Sequence, residues 1–276
     1  MYNKWNDVKG KIDSQSPLIH CITSPIAIND CANAVLALGA KPIMAEHPLE
    51  VENITLMSKS LAVSLANITD ARAESIMISG KAACKAGIPS VIDLVGVTCS
   101  KMREDLAKKY ITQCRPAVIK GNVSEIKAVC GMGFDASSGI DVSDKDKVDS
   151  ANPKSIEEMS YIVKNYAAAN GCVVMASGET DIISDGKEVY HISNGSSRMA
   201  DVTGTGCMLN CITAVFMSVT DALTACVLAA AVLGISGELA DDSRGLGTYH
   251  IGLIDSLSLM DSEKFSQMAK IKKYNK

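Results

Sequence analysis

The run Asp201-Val202-Thr203-Gly204-Thr205-Gly206-Cys207-Met208-Leu209-Asn210 joins a glycine-bearing turn to the start of a long apolar helical pattern. Gly204 and Gly206 let the backbone bend and come close to a ligand. The N–H groups of Thr205 to Met208 have no intrahelical partner at a helix start, so they are free to meet phosphate oxygens. The helix dipole favours the same sign of charge. A tight turn with a threonine cap gives the same letters, so the motif does not stand alone. Cys207 lies in that first turn, where a thiol pKa is lowered, but no His or Asn is placed by the sequence to serve it as a nucleophile.

Other candidates follow apolar runs that read as strands: His20, Thr23 and Ser24; Met44 and Glu46; Asp93; Lys120-Gly121-Asn122; and Ser177-Gly178-Glu179. In open parallel sheets, ligands bind beyond the carboxyl ends of the strands, which is where these residues fall. Lys and Asn suit phosphate oxygens, Asp and Glu a hydrated magnesium ion, and Met44 the apolar part of a small substrate. Each has a plainer reading. His20 within Leu-Ile-His-Cys-Ile fits a satisfied core histidine, Asp93 a cap for the segment after Gly96, Glu125 the far end of a capping box begun by Asn122, Lys120 a solvated lysine, and Met44 core packing.

These residues need an alternating scaffold, and the chain supplies one. Trp5, Val8 and Ile12 share a helical face within 2–15, followed by a strand at 18–23, a helix over 26–38 stopped by Gly39, and a strand at 42–45. The alternation continues with a helix around 47–60, strand 61–66, a helix ending at Gly87, strand 88–93, an exposed helix over 101–113, and strand 117–119 before the helix start at Asn122. Residues 135–155, rich in Asp, Ser and Lys, read as a loop rather than a boundary. A helix over 155–170, strand 172–176 and a hairpin turned by Asp185-Gly186 come next. An all-helical C-terminal third is expected. The pattern predicts an α/β fold with a mostly parallel central sheet, in one domain over 1–276.

Composition narrows the functions. The formal net charge of -4 offers no field to hold a polyanion, which argues against nucleic acid. Only 4% of residues are aromatic against 47% hydrophobic, so the core is largely Ala, Val, Ile, Leu and Met. The ten cysteines form no C-x-x-C pair and read as reduced thiols of a cytoplasmic protein. The N-terminus shows no signal peptide. The stretch 202–237 carries Asp221 as its sole charge, but its Thr, Ser, Asn and Gly residues favour buried core helices over membrane spans. There is no G-x-x-x-x-G-K-[ST], G-x-G-x-x-G after a first strand, H-E-x-x-H or G-x-S-x-G.

Four stretches occur in a telling order: Ile19-His20-Cys21-Ile22-Thr23 with Asn29, Asn33 and Leu36 to Ala45; Asp93-Leu94-Val95-Gly96-Val97; Ile119 to Ile126; and Val202 to Leu209. Together they resemble the hydroxyethylthiazole kinase family. The resemblance implies a ribokinase-like three-layer fold and transfer of the ATP γ-phosphate, with Mg2+, to the primary alcohol of 4-methyl-5-(2-hydroxyethyl)thiazole for thiamine salvage. It also implies a homotrimer with active sites between subunits. Met44 and Gly204 match thiazole-contacting positions, with Ser24 and His20 beside them. Lys120 and Ser177 match ATP-contacting positions, with Asn122 adjacent, and Asp93 and Glu125 match acidic positions tied to magnesium and phosphates. Cys207, with Gly204, Thr205 and Gly206, takes the catalytic place where related sugar kinases carry an Asp base; it is expected to orient the alcohol and accept its proton late. The chain departs from the family at Ser24 (usually Asn), Leu94 (Pro), Thr98-Cys99-Ser100 (Gly-Ala-Thr), Lys120 (Arg) and Ser177 (Thr). Lys keeps the charge of Arg but loses its bidentate fork. A ribokinase-like kinase of a hydroxymethylpyrimidine or sugar, or a non-catalytic ligand-binding paralogue, are the other readings.

Overall fold

The computed structural model describes residues 1–131, 153–240 and 243–274. Helices and strands alternate as α1 (Tyr2–Gln15), β1 (Leu18–Ile22), α2 (Ile28–Ala37), β2 (Lys41–Ile43), α3 (Val51–Met57), β3 (Ser60–Ser64), α4 (Asp70–Ala86), β4 (Ser90–Asp93), α5 (Lys101–Cys114), β5 (Val118–Asn122) and α6 (Val123–Val129). Then follow α7 (Pro153–Asn170), β6 (Val173–Ser177), β7 (Asp181–Ser184), β8 (Val189–Ile192), α8 (Thr205–Met217), α9 (Ala222–Leu239), α10 (Leu246–Ser258), α11 (Ser262–Met268) and β9 (Ile271–Tyr274).

The sheet runs β2-β1-β3-β4-β5-β6-β7-β8-β9, parallel from β2 through β6 and antiparallel beyond. Successive strand residues serve opposite faces. Ala62, Val91 and Val118 join a core with α2, α8 and α9, whereas Leu61, Val63, Ile92 and Ile119 join one with α4, α5, α6 and α7. The result is the expected three layers: helices, a mostly parallel sheet, helices. α9, in which Glu238 is the one charged residue, is long and apolar enough to cross a membrane, yet 78% of that window is buried inside the protein. It lacks a polar face because it packs against α8, α10 and the sheet at once.

Several boundaries differ from the sequence reading, each for a physical reason. The helix over 26–38 closes as expected, with Gly39 at φ 93° and the Gly39 and Ala40 amides donating to Leu36 and Val35 carbonyls. α3 begins at Val51, after a turn at 48–50. α5 is not simply exposed, since Ala107, Tyr110, Ile111 and Cys114 bury one stripe. The hairpin loop spans four residues between the paired Ser184 and Val189, with Asp185 accepting from the Lys187 and Glu188 amides. The C-terminal third is not all helical: β9 pairs with β8 as an edge strand whose Lys272 and Lys273 are exposed, and those charges hid its strand character. Of the loop expected over 135–155, residues 135–152 lie outside the described residues, and Pro153 already belongs to α7.

Candidate active site

Because β1 through β6 run parallel, their carboxyl ends open on one side of the sheet, and α8 brings its N-terminus over the middle of that side. Two buried hydrogen bonds lock α8 to β3. The Asn210 amide donates to the Val63 carbonyl at 3.1 Å, and the Ser60 hydroxyl donates to the Ala214 carbonyl at 2.7 Å. Gly204 caps the helix at φ 95°, a left-handed conformation that favours glycine. A Cβ there would lie 3.0 Å from the Ala27 Cβ, so this glycine also permits close packing before α2. At Gly206, two residues further on, a Cβ would instead face the Lys120 Nζ at 3.7 Å. The ammonium of Lys120 therefore lies across from the first turn of α8.

Lys120 is no solvated lysine. It is 3% exposed, inside β5 because pairing with β6 continues to Asn122 and Ser177, and its Nζ lies 3.0 Å from Asp93 Oδ1. Burial opposes its charge, but Asp93, Cys207 and Glu125 outweigh that and hold its pKa above the ordinary range. Burial lifts Asp93 in turn, while Lys120 and the Val95 amide pull it back. At this separation, with each charge the other's partner, we read the pair as ionised. Asp93 caps no helix, since residues 95–99 form a turn.

Glu125 completes a capping box with Asn122: the Asn122 Oδ1 accepts from the Glu125 amide, and Glu125 Oε2 accepts from the Asn122 amide at 2.8 Å. Its other oxygen accepts from the Gly96 amide at 2.9 Å, tying the 94–99 turn to α6. The plain reading of Glu125 thus holds, but it is not the whole account. Burial and the nearby Asp93 charge push its pKa up to about 7. Asp181, which accepts from the Gly178 amide, is pushed by burial to about 7 as well and feels Lys120. Ser177, half-buried, donates to the Gly121 carbonyl at 3.3 Å.

On the β1–β3 side the residues are differently disposed. His20 is fully buried, with Nδ1 2.9 Å from Thr55 Oγ1 and Nε2 2.8 Å from the Ala45 carbonyl. Both ring nitrogens are engaged, so the expectation that His20 touches substrate is corrected: it fixes the backbone beside Met44. Met44 is partly buried against the α2–α8 core. The Ser24 hydroxyl donates to Asn67 Oδ1 at 2.8 Å. Thr205, half-buried, donates to the Met199 carbonyl at 3.2 Å, leaving its amide in the first turn. Cys207 sits between the two sides; burial and the Asp93 charge push its thiol up to about 12, against the lowering expected from the helix terminus. Late acceptance of a proton by this sulfur is therefore disfavoured.

The structure thus gathers Gly206, Cys207, Lys120, Asp93 and Glu125, flanked by Ser177 and Asn122 on one side and Met44 and Ser24 on the other. Beside Thr203 a groove of about 310 Å³ opens between Ile26, Leu246 and the His250–Asp30 pair, whose separation is 2.9 Å. A cleft of about 330 Å³ near Tyr161 and Tyr274 lies by the opposite end of the sheet, away from this chemistry. Sequence reasoning missed Arg72 and Asp181. Arg72 reads as a polar helix position and Asp181 as a hairpin residue, and only the fold turns them inward. Among the described residues no three His, Cys, Asp or Glu side chains gather as a metal cluster. Such an arrangement suits an anion held by amides and an ammonium, with two carboxylates close by.

Comparison with known proteins agrees with that chemistry. Residues 10–263 match the model of the hydroxyethylthiazole kinase family. Hydroxyethylthiazole kinase 2 of Clostridium botulinum is 48% identical over 267 residues, covering 97% of this chain and 99% of that protein. The structure of the hydroxyethylthiazole kinase protein from Pyrococcus horikoshii superposes with a TM-score of 0.87 at 27% identity, covering 99% of this chain and all of that one. Staphylococcus aureus pyridoxal kinase, solved with AMP-PCP and pyridoxal, has a TM-score of 0.59 at 13% identity over 82% of this chain and 89% of its own, a likeness of fold alone.

Proposed function

The chain belongs to the hydroxyethylthiazole kinase family, and from that premise we propose that it transfers the γ-phosphoryl group of ATP to the primary alcohol of 4-methyl-5-(2-hydroxyethyl)thiazole, as a step of thiamine salvage. The observation that carries the reading is the buried Lys120–Asp93 pair facing the Gly206-bearing first turn of α8. Phosphoryl transfer asks mostly for alignment and charge stabilisation. The α8 amides and Lys120 supply fixed positive charge for the phosphate oxygens, with Ser177 and Asn122 on the donor side. Met44 and Ser24 line the acceptor side, and Gly204 sets the turn between them. Cys207, protonated at neutral pH, orients the alcohol oxygen rather than removing its proton.

A divalent ion fits the donor set. Asp93 and Glu125 are buried carboxyls, and the pKa of about 7 at Glu125 marks a group that nearby positive charge would return to its ionised form. With two carboxyls and no third ligand among the described residues, the ion bound would be one that keeps waters and phosphate oxygens, as magnesium does. When bound, magnesium would neutralise charge on the phosphate oxygens.

The single-domain reading over 1–276 is supported by one continuous sheet joining β1 to β9. Family resemblance supports a homotrimer. So does the set of exposed apolar side chains at the β2 end, where Ile26, Leu36, Leu49, Leu56 and Met57 all lie on or beside α2 and α3. Use of ATP and burial of α9 support a cytoplasmic enzyme.

Measuring ADP release with a panel of thiazole, pyrimidine and sugar alcohols, with and without magnesium, tests the reading. Thiazole- and magnesium-dependent release is expected. Release only with another alcohol would reassign the substrate, and binding without turnover would indicate a non-catalytic paralogue.

A further inference from the structure

Arg72 lies in the first turn of α4, on the acceptor side of the strand ends, and only 3% of it is exposed. Its Nη1 donates to Glu46 Oε2 at 2.6 Å, and Glu46 is itself positioned by the Ser75 hydroxyl, which donates to its backbone carbonyl at 2.8 Å. Neither Nε nor Nη2 of Arg72 has a hydrogen-bond partner although both are fully buried. A guanidinium stays charged in proteins, and leaving buried donors of a charged group unmade is costly.

The pattern of what is missing is informative. Nε and Nη2 form one edge of the planar fork, the edge that grips two oxygens of a single oxyanion side-on, and Glu46 occupies the end away from it. Arg72 and Lys120 both lie within electrostatic reach of the Cys207 sulfur. Arg72 is carried by α4, which packs on β3 and β4, and Lys120 by β5, so the two buried cations approach the sulfur from different elements.

We propose that the Nε–Nη2 edge of Arg72 is an acceptor-side phosphate site, holding two oxygens of the phosphoryl group once it has passed to the alcohol. This rests on the kinase reading above. Lys120 meets the phosphates of the donor, and Arg72 receives the monoester product. The edge distinguishes product from substrate, because the unphosphorylated alcohol offers it no oxyanion. Glu46 tunes the site by neutralising part of the guanidinium charge.

The test is calorimetric titration of the full-length protein with 4-methyl-5-(2-hydroxyethyl)thiazole and, separately, its phosphate monoester. For Arg72→Lys, which keeps the charge and loses the fork, the Kd of the monoester is expected to rise roughly tenfold or more, while that of the alcohol stays within about twofold. Equal shifts for both ligands, or none, overturn the proposal, since a merely structural arginine would not separate them. Should Arg72→Lys not fold by thermal melting, Glu46→Gln serves instead. Freed of the opposing carboxylate, Arg72 should then bind the monoester roughly threefold or more tighter with the alcohol unchanged, and unchanged monoester affinity overturns the proposal. A native protein that binds neither ligand and releases no ADP with the thiazole defeats the kinase reading and this proposal with it. A native protein that turns over while the variants bind both ligands as before defeats this proposal alone.

Discussion

Cys207 changes meaning between sequence and structure. Its place at a helix start suggests an activated thiol, but burial beside Asp93 pushes it up to about 12, so in the proposed reaction it is a neutral donor to the alcohol oxygen. Cys207→Ala is therefore expected to lower kcat by less than about 100-fold, the lower edge of general-base contributions, with little change in melting temperature. Full retention of kcat would remove the residue from the mechanism. Cys207→Asp places a further titrating carboxylate there and should change the acid limb of the pH–rate profile, which Cys207→Ala should leave in place. Glu125 gives a second prediction at this scale. Its folded pKa of about 7 lies above the unfolded carboxylate value, so the folded state binds the extra proton between them. The stability this confers is present below the unfolded pKa and is lost as pH rises through about 7, a change on the order of 3 kcal/mol. Thermal melts of the ligand-free protein should fall from pH 5 to pH 8. Glu125→Gln should flatten that slope, leaving the share contributed by Asp181, which is also raised to about 7.

The first turn of α8 separates two glycines that the motif presents as equivalent. Gly204 is bound by backbone conformation and by Ala27 at 3.0 Å, so Gly204→Ala is expected to cost about 1–3 kcal/mol of stability. Gly206 is an ordinary helical position whose added methyl would point toward Lys120 at 3.7 Å. Gly206→Ala should hold or raise the melting temperature, since alanine favours helix by up to about 1 kcal/mol. It should nevertheless reduce kcat/KM for ATP by roughly tenfold or more, because the methyl occupies the space where phosphates meet the helix amides. Melting curves and initial rates for both variants decide the matter. Loss of activity in proportion to stability at Gly206 would remove the phosphate cradle from that turn.

At the scale of the molecule, the short edge strand β2 and the exposed Leu49 and Met57, 88% and 62% exposed, mark the face where copies of the chain are expected to meet. Sedimentation should give three times the 29.1 kDa chain mass. Leu49→Asp with Met57→Asp should shift the population to smaller species and, with active sites between subunits, lower kcat along with it. A native monomer of full activity would contradict that assembly.

What the sequence determined was periodicity and punctuation. Alternating apolar runs specified the parallel strands, Gly39 and Gly87 ended helices in the left-handed conformation, and Asn122 with Glu125 announced a capping box that formed. These are local interactions, and neighbours in the chain encode them. The strand-end rule places Asp93, Lys120 and Ser177 on one side of the sheet. Tertiary structure alone decided the protonation and partners of those residues. Lys120 is buried against Asp93 across paired strands, His20 is spent on Thr55 and Ala45, and Arg72 turns an unpaired edge inward. Desolvation and pairing depend on which distant residues surround a group, and that information resides in the packing rather than in any stretch of the chain.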